Sequence, residues 1–180
     1  MVVVDSIVPF ATDADKSEPR AGFTHIQVAP TQDVHPGGEF RFASDSVTVA
    51  DGSQVVARAG CKVIAGNGAV VIARAGSTVD AKNGCGVLAQ PGSTVHARTG
   101  SWVLVFGDTT VEAESGSEIV AWPGSTVHAW NDSTVSALLS ARIHAAAGSR
   151  VLAGNGSTLH AQSGTKVVGA GGNKVNWVPE

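Results

Sequence analysis

The stretch Gly92-Ser93-Thr94-Val95-His96-Ala97 decides the fold, because its pattern returns every eight residues from Ser44 to the C-terminus without insertion or deletion. The repeated unit reads Gly-Ser-x-(Val/Ile)-x-Ala-x-x, and its fourth position is β-branched in every unit except at Leu159. A fixed short period is the signature of a repeat architecture, in which neighbouring units stack to form one core.

Each unit predicts one short strand followed by a corner. The second, fourth and sixth positions are small or apolar and alternate with variable positions, which is typical of a strand with one buried face. The seventh and eighth positions and the first position of the next unit form the turn, as at Asn67-Gly68 and Pro91-Gly92. A single wall of such small inward residues cannot bury itself, so successive units must stack.

The fifth position of the unit alternates between two environments, which fixes the true period at 16 residues. In every second unit it is apolar apart from one serine: Val56, Ile72, Leu88, Leu104, Val120, Ser136, Leu152, Val168. In the remaining units it is polar apart from one isoleucine: Thr48, Ile64, Asp80, His96, Glu112, His128, His144, His160, Asn176. We therefore predict an all-β fold, a two-walled β-solenoid (β-helix) of about eight coils and roughly 40 Å, with two eight-residue strand-turn units per coil.

The chain divides into two parts. Residues 1–43 lie outside the repeat and are expected to form an N-terminal cap with short strands near 24–28 and 39–42 and a polar loop over 13–20. Residues 44–180 are expected to form the β-solenoid, ending in a C-terminal cap that contains Trp177 and Pro179.

Residues 138–147 have helical propensity, but Ile143 and Ala145 keep their places in the repeat, so a strand is predicted there. Cys61 and Cys85 occupy the second position of units three apart. That spacing puts them on opposite walls, so we expect two reduced, buried thiols, which fits a reducing compartment.

Charge and composition exclude several partners. The net charge is −3 and no basic run is present, so we expect neither nucleic-acid nor membrane binding. The apolar run Val2-Val3-Val4 is followed at once by Asp5 and is too short for a signal peptide or a membrane span. We expect a protein that is cytoplasmic or associated with a particle.

The units Gly92 to Ala97, Gly124 to Ala129 and Gly156 to Ala161 resemble the octapeptide repeats of bacterial ice-nucleation proteins. That resemblance covers Ser44 to about Val178 and implies a β-solenoid of 16-residue coils. Family members present Thr-x-Thr columns to ice and carry a tyrosine ladder, whereas this chain has acidic residues and histidines at the fifth position and no tyrosine. It also resembles, in general character, the polymer-forming bactofilins, although their repeat length differs.

The polar wall is one candidate binding surface. It combines a threonine column with the acidic and histidine column, and its candidate residues are Thr78, Thr94, His96, Thr110, Glu112, Thr126, His128, His144, Thr158 and His160. A spacing of ~5 Å would let His128, His144 and His160 share Zn²⁺ or Ni²⁺. The alternative is that an outward position simply tolerates polar residues and binds no metal.

The opposite wall carries an outward apolar strip of several hundred Å², larger than a soluble monomer usually leaves in water. Its candidate interface residues are Val56, Val70, Ile72, Leu88, Trp102, Leu104, Val120, Leu152 and Val168, with Phe106, Trp122 and Leu138 at the corner. Residues 1–43, a second copy of the chain or a different protein partner could cover this strip, and a second copy would make a homo-oligomer.

The sequence holds no nucleophile elbow, phosphate-binding loop, Cys-x-x-Cys pair or convergent carboxylates, so no enzymatic activity and no cofactor are expected. We predict a structural or assembly protein that self-associates through the apolar wall. Two alternatives stay open: a protein that binds ice, polysaccharide or metal through its Thr/His wall, and a component of a phage or secreted particle.

Overall fold

The protein is built from short strands, and almost all of them stack into two parallel sheets. The computed structural model describes residues 47–169 and 172–178 in full and, at residues 7–9, 24–26, 33–34, 39–41 and 46, the backbone alone. No helix occurs within these described residues.

Four strands precede the repeat: β1 (Ile7–Pro9), β2 (Thr24–Ile26), β3 (Asp33–Val34) and β4 (Glu39–Arg41). β1 and β2 form an antiparallel pair. The nine-stranded sheet contains β4 and then β6 (Gln54–Ala57), β8 (Val70–Ala73), β10 (Gly86–Ala89), β12 (Trp102–Val105), β14 (Glu118–Ala121), β16 (Thr134–Ala137), β18 (Arg150–Ala153) and β20 (Lys166–Gly169). The ten-stranded sheet contains β3 and then β5 (Ser46–Val49), β7 (Lys62–Ala65), β9 (Thr78–Ala81), β11 (Thr94–Ala97), β13 (Thr110–Ala113), β15 (Thr126–Ala129), β17 (Arg142–Ala145), β19 (Thr158–Gln162) and β21 (Lys174–Val178).

The register of the two sheets confirms the 16-residue coil. Within each sheet, a repeat residue is aligned with the residue one coil away, as Val95 is with Val79 and Val111. Consecutive strands of the repeat therefore alternate between the sheets, so that each coil consists of one strand from each wall. The predicted two-walled β-solenoid of about eight coils is the observed fold.

The core lies between the two sheets and is made of small side chains. The fourth-position valines and sixth-position alanines are completely or almost completely buried along the solenoid from β6 to β19. Serine at the second position is also buried, and in Ser77, Ser93, Ser117, Ser125, Ser133 and Ser149 the hydroxyl donates to the carbonyl oxygen three residues earlier. The Ser101 hydroxyl instead donates to the Lys82 carbonyl, and Ser157 Oγ is buried without a partner among the described residues. The Oγ–O distance is 2.6 Å from Ser77 to Arg74 and 2.7 Å from Ser93 to Gln90. This bond satisfies a polar group that would otherwise be costly to bury.

A tight turn joins each strand to the next. The amide of the second-position residue donates to the carbonyl of the seventh-position residue before it, as Ser93 does to Gln90 at 3.1 Å. The first-position glycine takes a positive φ, which is +81° at Gly92, while the residue before it does not. These are the φ signs of a type II turn, which also favours proline at its second residue, as at Pro91.

Two local expectations are confirmed by the structure. The segment with helical propensity forms strand β17, because inward Ile143 and Ala145 are buried in register with the coils on either side. Both cysteines are buried and neither forms a disulfide, and the Cys85 thiol donates to the Gly66 carbonyl oxygen at 2.9 Å. Burial raises the pKa of the Cys85 thiol, so this group stays protonated and unreactive.

The two sheets continue upstream of Ser44, in a register that differs from the rest of the solenoid. Phe40 on β4 is aligned with Val55, and Asp33 on β3 with Thr48, so both offsets are 15 residues instead of 16. Short strands near 24–28 and 39–42 are present as β2 and β4. The rest of the predicted N-terminal cap, including the loop over 13–20, lies outside the described residues.

Residues at inward positions of the last coil are exposed to solvent. β21 pairs with β19, and Trp177 at its sixth position is aligned with buried Ala161 but is 60% exposed. The C-terminal cap therefore stays a prediction, and its Pro179 is outside the described residues.

The turn geometry predicts that Ser140→Gly stabilises the protein. Ser140 stands at a first position and has a φ of +45°, a conformation that costs a side chain-bearing residue roughly 1–2 kcal/mol. Because glycine adds unfolded-chain entropy, we expect a net gain in unfolding free energy of roughly 0.5–1 kcal/mol, measured by urea denaturation. Ser115→Gly is the matched control, since Ser115 also lies in a turn but without a positive φ, and it should lose stability. A gain at Ser115 equal to that at Ser140 would contradict this account.

Candidate functional site

The outer surface of the nine-stranded sheet carries an apolar ladder that is interrupted at Ser136, and we call this surface the apolar face. Register aligns the fifth-position residues as Val56, Ile72, Leu88, Leu104, Val120, Ser136, Leu152 and Val168 on successive strands. Third-position Val70 and Trp102 flank the first part of this ladder, and the Trp102 side chain is 46% exposed. From β14 onward the third position is polar or charged, with Glu118, Thr134, Arg150 and Lys166. All predicted interface residues thus lie on one sheet and share its outward direction.

The two ends of the ladder differ in exposure. Val56 is only 5% exposed, so it is already covered within the single chain, whereas Leu152 and Val168 are exposed. Ile72, Leu88, Leu104 and Val120 lie between these extremes and are half-buried by their neighbours along the ladder. The surface available to a partner therefore begins at β8.

Aromatic side chains extend the apolar face around one corner. Phe106 and Trp122 occupy the seventh position on consecutive coils, and their ring centroids are 5.3 Å apart with a tilt of 36°. Leu138 follows on the next coil and is exposed. This tilted aromatic pair holds the corner side chains in fixed positions and widens the apolar face.

The outer surface of the ten-stranded sheet is the polar face, and the candidate residues predicted for it are aligned there. Its third-position column contains Thr78, Thr94, Thr110, Thr126, Arg142 and Thr158. Its fifth-position column contains Asp80, His96, Glu112, His128, His144 and His160. The two columns run side by side, as the period predicts.

Polar side-chain contacts join strands β9, β11 and β13 on the polar face. His96 Nδ1 lies 2.8 Å from Glu112 Oε2. Arg98 donates from Nε to Asp80 at 2.9 Å and from Nη1 to Glu114 at 2.9 Å, and so bridges the two carboxylates. The guanidinium holds the pKa of Asp80 below its usual range. Arg98 and Glu114 were not among the predicted site residues, because they stand at the corner position of the unit, where no repeating chemistry singles them out.

The three histidines predicted to lie together do form a stacked ladder. The ring centroids of His128 and His144 are 4.7 Å apart and those of His144 and His160 are 4.9 Å apart, with an interplanar angle of 8° in each pair. Parallel stacked rings direct their nitrogens side by side instead of toward one point. Among the described residues, no group of three or more His, Cys, Asp or Glu side chains is placed to hold a metal ion.

The middle histidine of the ladder resists protonation. Partial burial, followed by the neighbouring His128, His160 and Arg142, lowers the pKa of His144 below its ordinary value of 6.5. Along the same column, His128 has Glu112 on its other side and His160 has Asn176. His144 is therefore the member of the ladder with a histidine on both sides.

These observations define a β-solenoid repeat protein with one apolar and one polar outer face. No protein-family model matches the chain, and no curated protein matches it. The chain is similar to the crystal structure of a TibC-catalyzed hyper-glycosylated TibA fragment, with 15% identity and a TM-score of 0.30 over 86% of this chain and 80% of that one. At that TM-score the likeness supports no functional conclusion. The described part of the chain contains no helix long and apolar enough to cross a membrane.

The histidine ladder predicts that the folded state loses stability on acidification. Because the folded pKa of His144 is lowered, the unfolded chain binds more protons as pH falls below about 6.5, and unfolding becomes more favourable. We expect the melting temperature to be steady above about pH 7 and to fall by several degrees toward pH 5. His144→Asn, which places at this position the residue type found at position 176 of the same column, should reduce that fall. Identical pH profiles for the two proteins, or a flat wild-type profile, would contradict the prediction.

Proposed function

We propose that the protein is a non-enzymatic assembly module that pairs with a second copy of itself through the apolar face. The observation that supports this is the continuous run of outward apolar side chains from β8 to β14 on one sheet. Neighbouring strands lie ~4.8 Å apart, and the positions from three to seven span about 16 Å, so the four strands β8, β10, β12 and β14 give the apolar run a projected area on the order of 300 Å². That area is about half of the roughly 600 Å² per partner at the lower end of stable interfaces, so the proposed interface is a small one.

A second copy suits this face better than a protein of different shape. The face is a ladder of regularly spaced strands, and a second ladder with the same strand spacing can follow it along its length. Like faces related by a two-fold axis form an isologous, closed pair, which gives a discrete dimer. Leu88 and Leu104 lie in the middle of the apolar run, so the axis that best buries the run passes between them. Each Leu88 would then pack against Leu104 of the other copy.

The resemblance to ice-nucleation repeats contributes only a shared solenoid architecture to this proposal. An ice-matching surface needs flat columns of short side chains, whereas the polar face carries charged Arg142, Asp80 and Glu112 within its columns. Self-association through the apolar face requires none of these polar residues.

The proposed dimer predicts a change in mass when charges enter the apolar face. Wild-type protein should have twice the 18.1 kDa mass of the single chain, measured by size exclusion with light scattering. Leu88→Asp/Leu104→Asp should be monomeric, with a dimerisation constant weakened more than 100-fold, because a two-fold interface would bury four unpaired carboxylates at its centre.

The matched control is Thr94→Asp/Thr110→Asp, which adds the same charges on adjacent strands of the polar face. This control should keep the wild-type mass. A monomeric wild type would refute the dimer and favour residues 1–43 as the cover of the apolar face. Dissociation of the control variant to the same extent would also refute it.

A further inference from the structure

A hollow lies on the polar face where the histidine ladder meets the corner of the solenoid. Its volume is about 210 Å³, and it is lined by Trp130, Ala146, Gln162 and Val178 at the corner and by His128, His144 and His160 on the sheet. The four corner residues occupy the seventh position of consecutive coils. Ala146 is much smaller than Trp130 and Gln162, which stand at the same position one coil before and one coil after it. The corner is therefore open between these two larger side chains.

The spacing across this opening matches a single ring-sized molecule. Trp130 and Gln162 are two coils apart, which is about 10 Å at the usual strand spacing. The volume is below the roughly 300–1,000 Å³ of sites for drug-sized ligands, so the hollow accommodates one ring of a longer chain that continues along the open face. Trp130 is 57% exposed, which leaves much of its indole uncovered in the single chain.

The lining combines an aromatic surface with uncharged hydrogen-bonding groups. Imidazoles donate and accept at their two ring nitrogens, and the Gln162 amide does so with its nitrogen and oxygen. Gln162 Oε1 accepts a bond from the Ala147 amide at 3.3 Å, which fixes the side chain against the corner. No lysine, arginine or carboxylate side chain lines the hollow, so it offers no charge to a phosphate or an amine.

From this geometry we infer that the hollow binds one sugar ring of a neutral polysaccharide, with the ring packed on Trp130 and its hydroxyls bonded to His160 and Gln162. A pyranose ring has an apolar C–H surface and a rim of hydroxyls, which complement the indole and the polar side chains. The parallel stacking of the histidines disfavours a shared metal ion. This binding site lies on the face opposite the proposed dimer interface and does not depend on it.

The test uses affinity electrophoresis of the full chain in gels that contain hydroxyethyl cellulose, xyloglucan, galactomannan or amylopectin, with heparin as the anionic comparison. We expect at least one neutral polysaccharide to retard the wild type. Trp130→Ala and Ala146→Leu should each weaken that retardation tenfold or more, the first by removing the aromatic surface and the second by filling the hollow. Unchanged melting temperature and mass of both variants would exclude misfolding as the cause.

Trp177→Ala is the matched control, because Trp177 is also an exposed tryptophan, at 60%, but neither lines the hollow nor belongs to the apolar face. This control should bind polysaccharide as the wild type does. The inference is overturned if no neutral polysaccharide retards the wild type, if only heparin does, or if Trp130→Ala binds undiminished. Equal loss in Trp177→Ala would likewise overturn it, whatever the oligomeric mass of the protein.

Discussion

Backbone hydrogen bonds between strands of adjacent coils hold each coil of this solenoid to the next. In the repeat they join parallel strands whose aligned residues are 16 positions apart. Each position of the unit is therefore stacked directly on the same position in the coils above and below. Because neighbouring strands are only ~4.8 Å apart, side chains at equivalent positions must contact one another. The core accordingly accepts only Val, Ala, Ser and residues of similar size, and chemistry on the outside takes the form of columns.

This constraint explains how two faces of opposite character coexist on a thin rod. Each coil contributes one strand to each wall, so a sequence that alternates in eight-residue units segregates its apolar and polar side chains without any long-range folding back of the chain. Side chains of the polar columns then find their interaction partners on neighbouring coils of the same face. Arg98 bridges Asp80 and Glu114 across three coils, and the histidines stack on one another. The proposed dimer contact and the proposed sugar site are thereby kept on separate surfaces.

Most of the solenoid could be predicted because every coil obeys the same rule. Ile143 forms a strand despite the helical propensity around it, since stacking on the inward Val127 and Leu159 of the adjacent coils outweighs local preference. The repeat does not predict features that arise where the period changes or where one side chain determines the local surface. A strand near 39–42 is predicted from its alternating residues, but β3 and β4 join the sheets at an offset of 15, so the eight-residue pattern does not predict that they extend the solenoid. The burial of Val56 and the hollow beside Trp130 depend on neighbours that no repeat position specifies.

The amino-acid sequence alone determined the coil length, the inward and outward positions and the composition of both faces, because hydrophobic periodicity and turn chemistry are local properties of the chain. Only the tertiary structure decided which of those outward residues are accessible, how the histidine rings are oriented and where Ala146 leaves the corner open. These features arise from contacts between side chains 16 or more residues apart. Their geometry depends on side-chain size and rotamer in adjacent coils, which a repeat pattern does not record.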